Sequence, residues 1–143
     1  MIVRRARYDD MNAILDLMQD YHPTSNMSSI PFVRHDAAKV LDYMIGNRSC
    51  LPLAAFDSEG VLNGILLVEL NPYFFNKKHY FATETAFISN GAGMQLLAAF
   101  KKWFKTTDAD QIIMAVSSGD PRADQFLELS GLEKTGSMYV LRR

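Results

Sequence analysis

The sequence predicts an α/β (α+β) protein, a mixed sheet with about four helices on its faces. Three observations lead there. Helix-like and strand-like segments follow one another in the order β α α β β β α β α β β, which is not a strict βαβ alternation. The helical segments are amphipathic, with apolar residues recurring at i, i+3, i+4 and i+7. One strand also runs through a glycine-containing turn straight into the clearest helix of the chain.

Ile2 to Arg7 reads as a short strand. Tyr8-Asp9-Asp10 opens a helix, with its acidic side chains at the positive end of the helix dipole. Met11, Ile14, Leu15 and Met18 form the apolar face. His22-Pro23 ends it, because the residue before proline is pushed out of the α region. A polar loop from Pro23 to Pro31 leads to a second helix over 34–45, closed by Gly46-Asn47. Leu53 to Phe56 and Val61 to Leu70 read as strands joined by the turn Asp57-Ser58-Glu59-Gly60. Gly64 marks a bulge in the second strand, and Asn71-Pro72 ends it. After an aromatic loop, Tyr73-Phe74-Phe75, a strand spans His79 to Ser89. Gly93 to Thr106 is helical, with Leu96, Leu97, Phe100, Trp103 and Phe104 on its apolar stripe. Gln111 to Val116 is a strand, and Asp120-Pro121 caps a helix that Gly131 closes. Leu132 to Arg142 completes the chain as a hairpin around Gly136-Ser137.

A chain of 143 residues is expected to form one domain over 1–143, with a core that needs no disulfide or metal. A net charge of −1 argues against non-specific nucleic-acid binding, which requires a basic surface. The run Ile65 to Val68 is stopped by Glu69, far short of the roughly 20 apolar residues of a membrane span. Neither nucleic acid nor membrane is therefore an expected partner. Cys50 is alone, so no internal disulfide or cysteine metal site forms, and no His/Cys/carboxylate cluster has metal spacing. Cys50 adjoins Leu51-Pro52-Leu53-Ala54-Ala55-Phe56 and reads as a small buried side chain rather than a nucleophile. No leader-like stretch follows Arg4-Arg5-Ala6-Arg7, and a cytoplasmic location is expected.

The turn Ser89-Asn90-Gly91-Ala92-Gly93 is the candidate ligand site. A strand that ends in glycines at a helix start presents unpaired backbone N–H groups, and with the helix dipole these favour a phosphate. Glycines let the ligand approach closely because no Cβ intervenes. A tight strand–helix turn without a ligand is the plainer reading. A Walker A loop is excluded, since Met94-Gln95 stands where Lys-Ser/Thr is required. A Rossmann fingerprint is excluded by the two glycines and by the central position of the turn.

The run from Glu84 to Leu97 resembles the fourth strand, pyrophosphate loop and third helix of the GNAT acyltransferase superfamily. Gly91-Ala92-Gly93 followed by Leu96-Leu97 is similar to the end of that family's R/Q-x-x-G-x-G/A signature. Asp120-Pro121-Arg122-Ala123 through Phe126 to Leu132 resembles the family's next helical segment, and the element order agrees over nearly the whole chain. The resemblance implies a mostly antiparallel, six- to seven-stranded mixed sheet. It implies transfer of an acetyl group from acetyl-CoA to a primary amine by direct attack in a ternary complex. It places the cofactor along Phe87, Ile88, Ser89, Asn90, Gly91, Ala92, Gly93 and Met94, with backbone N–H groups near Phe87 and Ile88 serving the oxyanion and the pantetheine arm. Four departures stand out, one of them a loop several residues shorter than the family's. The signature Arg or Gln falls on Ile88, the frequent Asn before the fourth helix is Asp120, and the family's tyrosine acid falls on Leu127. The missing signature Arg or Gln and the missing tyrosine support an alternative, a weakly active or inactive GNAT-fold binding protein. Small stand-alone chains of this type resemble GNAT-like proteins encoded by bacteriophages, some of them host-interacting or virion-associated. An unrelated α/β domain with a chance glycine turn is the third reading.

Glu84 is the candidate base, on a strand face expected to include Ala82, Ala86 and Ile88. Burial there would raise its pKa toward neutrality, whereas a salt bridge would leave it structural. Tyr139, on the expected last strand, is the candidate acid, or else a core tyrosine with a hydrogen-bonded tip. His22 and His35 read as surface histidines. Lys101, Lys102 and Arg122 either neutralise phosphates or form a solvated face. Tyr73-Phe74-Phe75 lines an acceptor groove, covers the core or meets another subunit. The acceptor is a small-molecule or protein amine, and a homodimer stays open.

Overall fold

The computed structural model describes residues 1–116 and 120–143. Five strands occur among them: β1 (Ile2–Arg5), β2 (Cys50–Phe56), β3 (Leu62–Tyr73), β4 (Asn76–Ser89) and β5 (Gln111–Ile113). Four α-helices accompany them: α1 (Met11–Tyr21), α2 (Arg34–Gly46), α3 (Gly93–Phe104) and α4 (Pro121–Leu129). The strands lie in the order β1-β2-β3-β4-β5. The first four are antiparallel, and β5 joins β4 in parallel after the α3 crossover.

The sheet has five described strands rather than the expected six to seven, because residues 132–143 carry no strand. Tyr139 is 91% exposed and Leu141 99%, so the expected hairpin has no core to cover. A two-stranded hairpin without such a surface is marginal in water. In contrast, β3 runs past Pro72, where a break is expected. Leu70 N–H donates toward β2, to Ser49 O at 2.9 Å. Alternation turns Pro72 the same way, beyond the end of β2, so its missing N–H forgoes no ladder bond.

The centre of the sheet is buried on both faces, which is why Cys50–Phe56 reads as a continuous apolar run. Ile14, Leu15, Leu41 and Met44 of α1 and α2 pack on Ala54, Ile65, Leu67 and Ile88. Leu96, Leu97 and Phe100 of α3 pack on Leu53, Ala55, Leu66, Val68 and Ala82. Cys50 lies inside this structure, 1% exposed, and burial pushes its thiol pKa up, as suits a packing role. Arg5 ties the α1/α2 layer to the sheet. Its guanidinium donates to Asn47 O at 2.8 Å, just past α2, and to Cys50 O at 2.7 Å, where β2 begins.

Gly64 sits beside a bulge rather than in it. Ala55 pairs with Gly64 and Phe56 with Leu62, so Asn63 is the extra residue. What requires glycine at 64 is close approach: a Cβ would lie 2.9 Å from Ile88 O and 3.0 Å from Leu96 Cδ1. Gly64→Ala should therefore push α3 off the sheet and destabilise the fold by about 1–3 kcal/mol. Chemical denaturation checks this, and an unchanged midpoint would contradict the contact.

Candidate active site

The site begins with a defect in β4. Leu67 pairs with Ala86 and Val68 with Glu84, leaving Thr85 as the extra residue of a bulge. Paired residues share a face. Leu66 and Val68 belong to the α3-side core and Leu67 to the α1/α2-side core. Glu84 and Phe87 therefore face α3, while Ala86 and Ile88 face α1 and α2. The single face expected for Ala82, Glu84, Ala86 and Ile88 does not exist, because the bulge inverts the alternation between Glu84 and Ala86.

Just before the bulge, β4 loses its other neighbour. β5 pairs with Phe81, Ala82 and Thr83 and no farther. The strand expected over Gln111 to Val116 ends at Ile113 because the Ala115 N–H turns to a side chain: Glu84 Oε1 accepts it at 2.8 Å. A cleft of about 480 Å³ opens at this point, within the rough 300–1,000 Å³ range of small-molecule sites. It is lined from both faces of the sheet. Tyr21, Ala86 and Ile88 come from the α1/α2 side, and Glu84, Phe87 and Phe126 from the α3 side.

Glu84 is half-buried in this cleft, and its Oε2 is buried with no hydrogen-bond partner among the described residues. Burial raises its pKa above the ordinary glutamate value, and hydrogen bonds from the Ala115 N–H, its own N–H and the Thr83 side chain oppose this more weakly. No ion pair neutralises it among the described residues.

The glycine turn forms the other end. Gly91 has φ +90°, a conformation that L side chains rarely adopt. Ser89 Oγ accepts the Ala92 N–H at 2.9 Å, and Asn90 N–H donates to Asn63 O at 2.8 Å. The α3 ladder starts with Leu96 N–H on Ala92 O, and no side chain caps the helix. The N–H groups of Gly93, Met94 and Gln95 thus stand at the positive helix end, available to an anion. Because Asn90 N–H points to β3, alternation turns Ile88 to β3 as well and Phe87 to the vacated side. Phe87 therefore presents an unpaired backbone N–H to the cleft, and Ile88 does not.

Of the sequence-predicted cofactor residues, Phe87, Ile88, Ser89, Gly91, Gly93 and Met94 line the cleft. Asn90 and Ala92 do not. The Asn90 N–H is spent on Asn63, and Ala92 is buried in the α3-side core. Ile88, at the signature Arg/Gln position, is 6% exposed and packs with the α1/α2-side core, so it offers no polar group. Tyr139 does not line the cleft, since the strand that would carry it is absent. Tyr73, Phe74 and Phe75 stack on one another at the tip of the β3–β4 hairpin and line no part of the cleft. Lys101 donates to Ser130 O and closes α4, away from any phosphate role. Arg122 does line the cleft, paired with Asp120 at 2.8 Å. His22 lies against the Ile30 carbonyl at 2.6 Å and braces the loop after α1. Tyr21 is a lining residue missed in the sequence, as are Met114, Ala115 and Val116. The apolar stripe of α1 continues from Met18 to Tyr21 three residues on, which was the available signal.

No family model and no curated protein matches the sequence. Solved structures do match. A probable acetyltransferase superposes with TM-score 0.79 at 14% identity, covering 100% of this chain and 98% of its own. The aminoglycoside antibiotic 6'-N-acetyltransferase of Acinetobacter haemolyticus gives 0.75 at 10% identity, covering 100% and 98%. The ribosomal-protein-alanine N-acetyltransferase of Brucella melitensis gives 0.72 at 11% identity, covering 100% of each chain. The fold is that of the GNAT acetyltransferases. Its mixed, mostly antiparallel sheet opens here at β4 and β5.

The raised pKa of Glu84 has a stability consequence. The folded chain holds the Glu84 proton to higher pH than the unfolded chain does, so ionising it costs stability as pH rises above about 4.3. Glu84→Gln keeps an acceptor for Ala115 and removes that cost. Thermal melts should show the variant gaining on wild type as pH rises from there toward neutrality. A constant difference would mean that Glu84 is solvated in the folded chain.

Proposed function

We propose that this chain is an N-acetyltransferase that moves the acetyl group of acetyl-CoA to a primary amine. The observation that carries the reading is one cleft holding an unpartnered carboxylate oxygen, a free strand N–H and an uncapped helix start. Each fits one part of the reaction.

The pyrophosphate of acetyl-CoA lies on the N–H groups of Gly93 to Gln95, where the dipole of α3 favours negative charge. The pantetheine arm runs along the edge of β4 that β5 leaves open. The thioester oxygen takes the Phe87 N–H, which stabilises the negative charge developing as the amine attacks. Glu84 Oε2 accepts the proton the nitrogen gives up, directly or through one water. A new C–N bond forms, the C–S bond breaks, and its electron pair leaves with the CoA sulfur. A thiol pKa near about 8.5 makes this an adequate leaving group, and solvent supplies its proton. No tyrosine acid is needed, in keeping with Leu127 on α4 and the exposed Tyr139. A cytoplasmic location, where acetyl-CoA is abundant, belongs to the same reading.

Calorimetry with acetyl-CoA should give a Kd on the order of micromolar. Met94→Glu is the matched variant. Met94 is exposed in the first turn of α3, where glutamate suits the dipole but repels phosphates. Affinity should fall at least about tenfold with no loss of melting temperature. No binding by wild type at millimolar acetyl-CoA would end the proposal and leave a GNAT-shaped binding protein. Given binding, Glu84→Gln should lower kcat by roughly 10²–10⁴ with acetyl-CoA affinity retained.

A further inference from the structure

We infer that the acceptor is a single amine carried on an apolar, ring-sized body, and not a polycation. This rests on the acetyl-transfer reading and gives it a substrate class. The cleft crosses the plane of the sheet and so has two ends. The α3-side end carries the glycine turn and Arg122, the groups suited to phosphates. The other end, open to an amine approaching the same carbonyl, is bounded by Tyr21, Thr85, Ala86 and Ile88. None of these four side chains is charged. Asp20, next to Tyr21 in sequence, is exposed and does not line the cleft.

Charge compensation then selects the acceptor. An ammonium that sheds water to enter a cleft needs a partner. Among the described lining residues the one carboxylate is Glu84, and one of its oxygens is committed to Ala115. A single amine places its nitrogen at Glu84, gives up its proton there, and leaves its apolar body on Tyr21, Ala86 and Ile88. A ring-sized body adds aromatic contact with Tyr21. The second ammonium of a polyamine or aminoglycoside would instead lie against those apolar side chains, with no second carboxylate among the described lining residues to receive it. Two sources share this chemistry: a free arylalkylamine, and the α-amine of a peptide whose first side chain is apolar.

The test uses the full chain with saturating acetyl-CoA and follows thiol release and acetylated product. 2-Phenylethylamine and a Phe-initiated peptide are compared with spermidine, kanamycin and a Lys-initiated peptide. The better apolar acceptor should exceed spermidine and kanamycin in kcat/KM by at least about tenfold. Whichever of the free amine and the peptide is preferred identifies the source. Tyr21→Phe should keep the preference. Tyr21→Glu, or Thr85→Glu at an exposed position of the same end, should shift it toward spermidine by about tenfold with acetyl-CoA affinity unchanged. A polycation preferred by wild type, or a preference that neither glutamate variant moves, overturns the inference. The two levels of failure separate cleanly. If acetyl-CoA does not bind, the acetyl-transfer reading falls and takes this inference with it. If acetyl-CoA binds but the apolar amines neither bind by calorimetry nor turn over, the acceptor class alone is wrong.

Discussion

Past Thr83, no backbone ladder joins β4 to β5, and the described link across the gap is the Glu84 carboxylate accepting the Ala115 N–H at 2.8 Å. The cleft depends on this substitution of a side chain for a strand carbonyl. A continued ladder would close the sheet and bury the edge of β4. A sheet parted with nothing across it would leave the exposed Ala115 N–H to solvent and the Glu84 carboxylate without its backbone donor. The bulge at Thr85 completes the arrangement by turning Glu84 and Phe87 to the same face.

Glu84 pays for this arrangement in desolvation. One oxygen is satisfied by a backbone donor, and the other is buried without a partner among the described residues. A residue selected for stability alone would be paired or replaced by an amide. Under the proposed acetyl transfer, an acid whose pKa burial raises, beside a free strand N–H, suits the acceptance of a proton. The rest of the cleft is more ordinary. Gly91, Gly93 and the uncapped α3 leave backbone dipoles facing an open space, while Phe126 and Met114 supply apolar walls.

Much of this was legible in the sequence. The helices announced themselves through their apolar stripes, and the glycine turn was placed at the start of α3 because Gly91 and Gly93 fall between a strand-like run and the clearest amphipathic helix. Glu84 was legible as an anomaly, a carboxylate in an otherwise apolar and small-residue stretch. The face it shares was not. Alternation assigns faces by counting, and an extra residue at Thr85 has no composition signal to stop the count. Tyr139 was misplaced for a related reason. Residues 137–141 have strand-forming composition, but a strand needs a partner and a surface to cover, and neither is recorded in local sequence.

What the sequence determined by itself was therefore local: which segments are helical, where the turns fall, and that a phosphate-suited turn leads into α3. These follow from side-chain periodicity, proline and glycine sterics and the helix dipole, all of which act over a few residues. The tertiary structure decided how far β5 accompanies β4, which face Glu84 occupies, and that Tyr21, far away in the chain, borders the same cleft. Those outcomes rest on register and on competition for single hydrogen bonds between distant segments, which no pattern within one segment encodes.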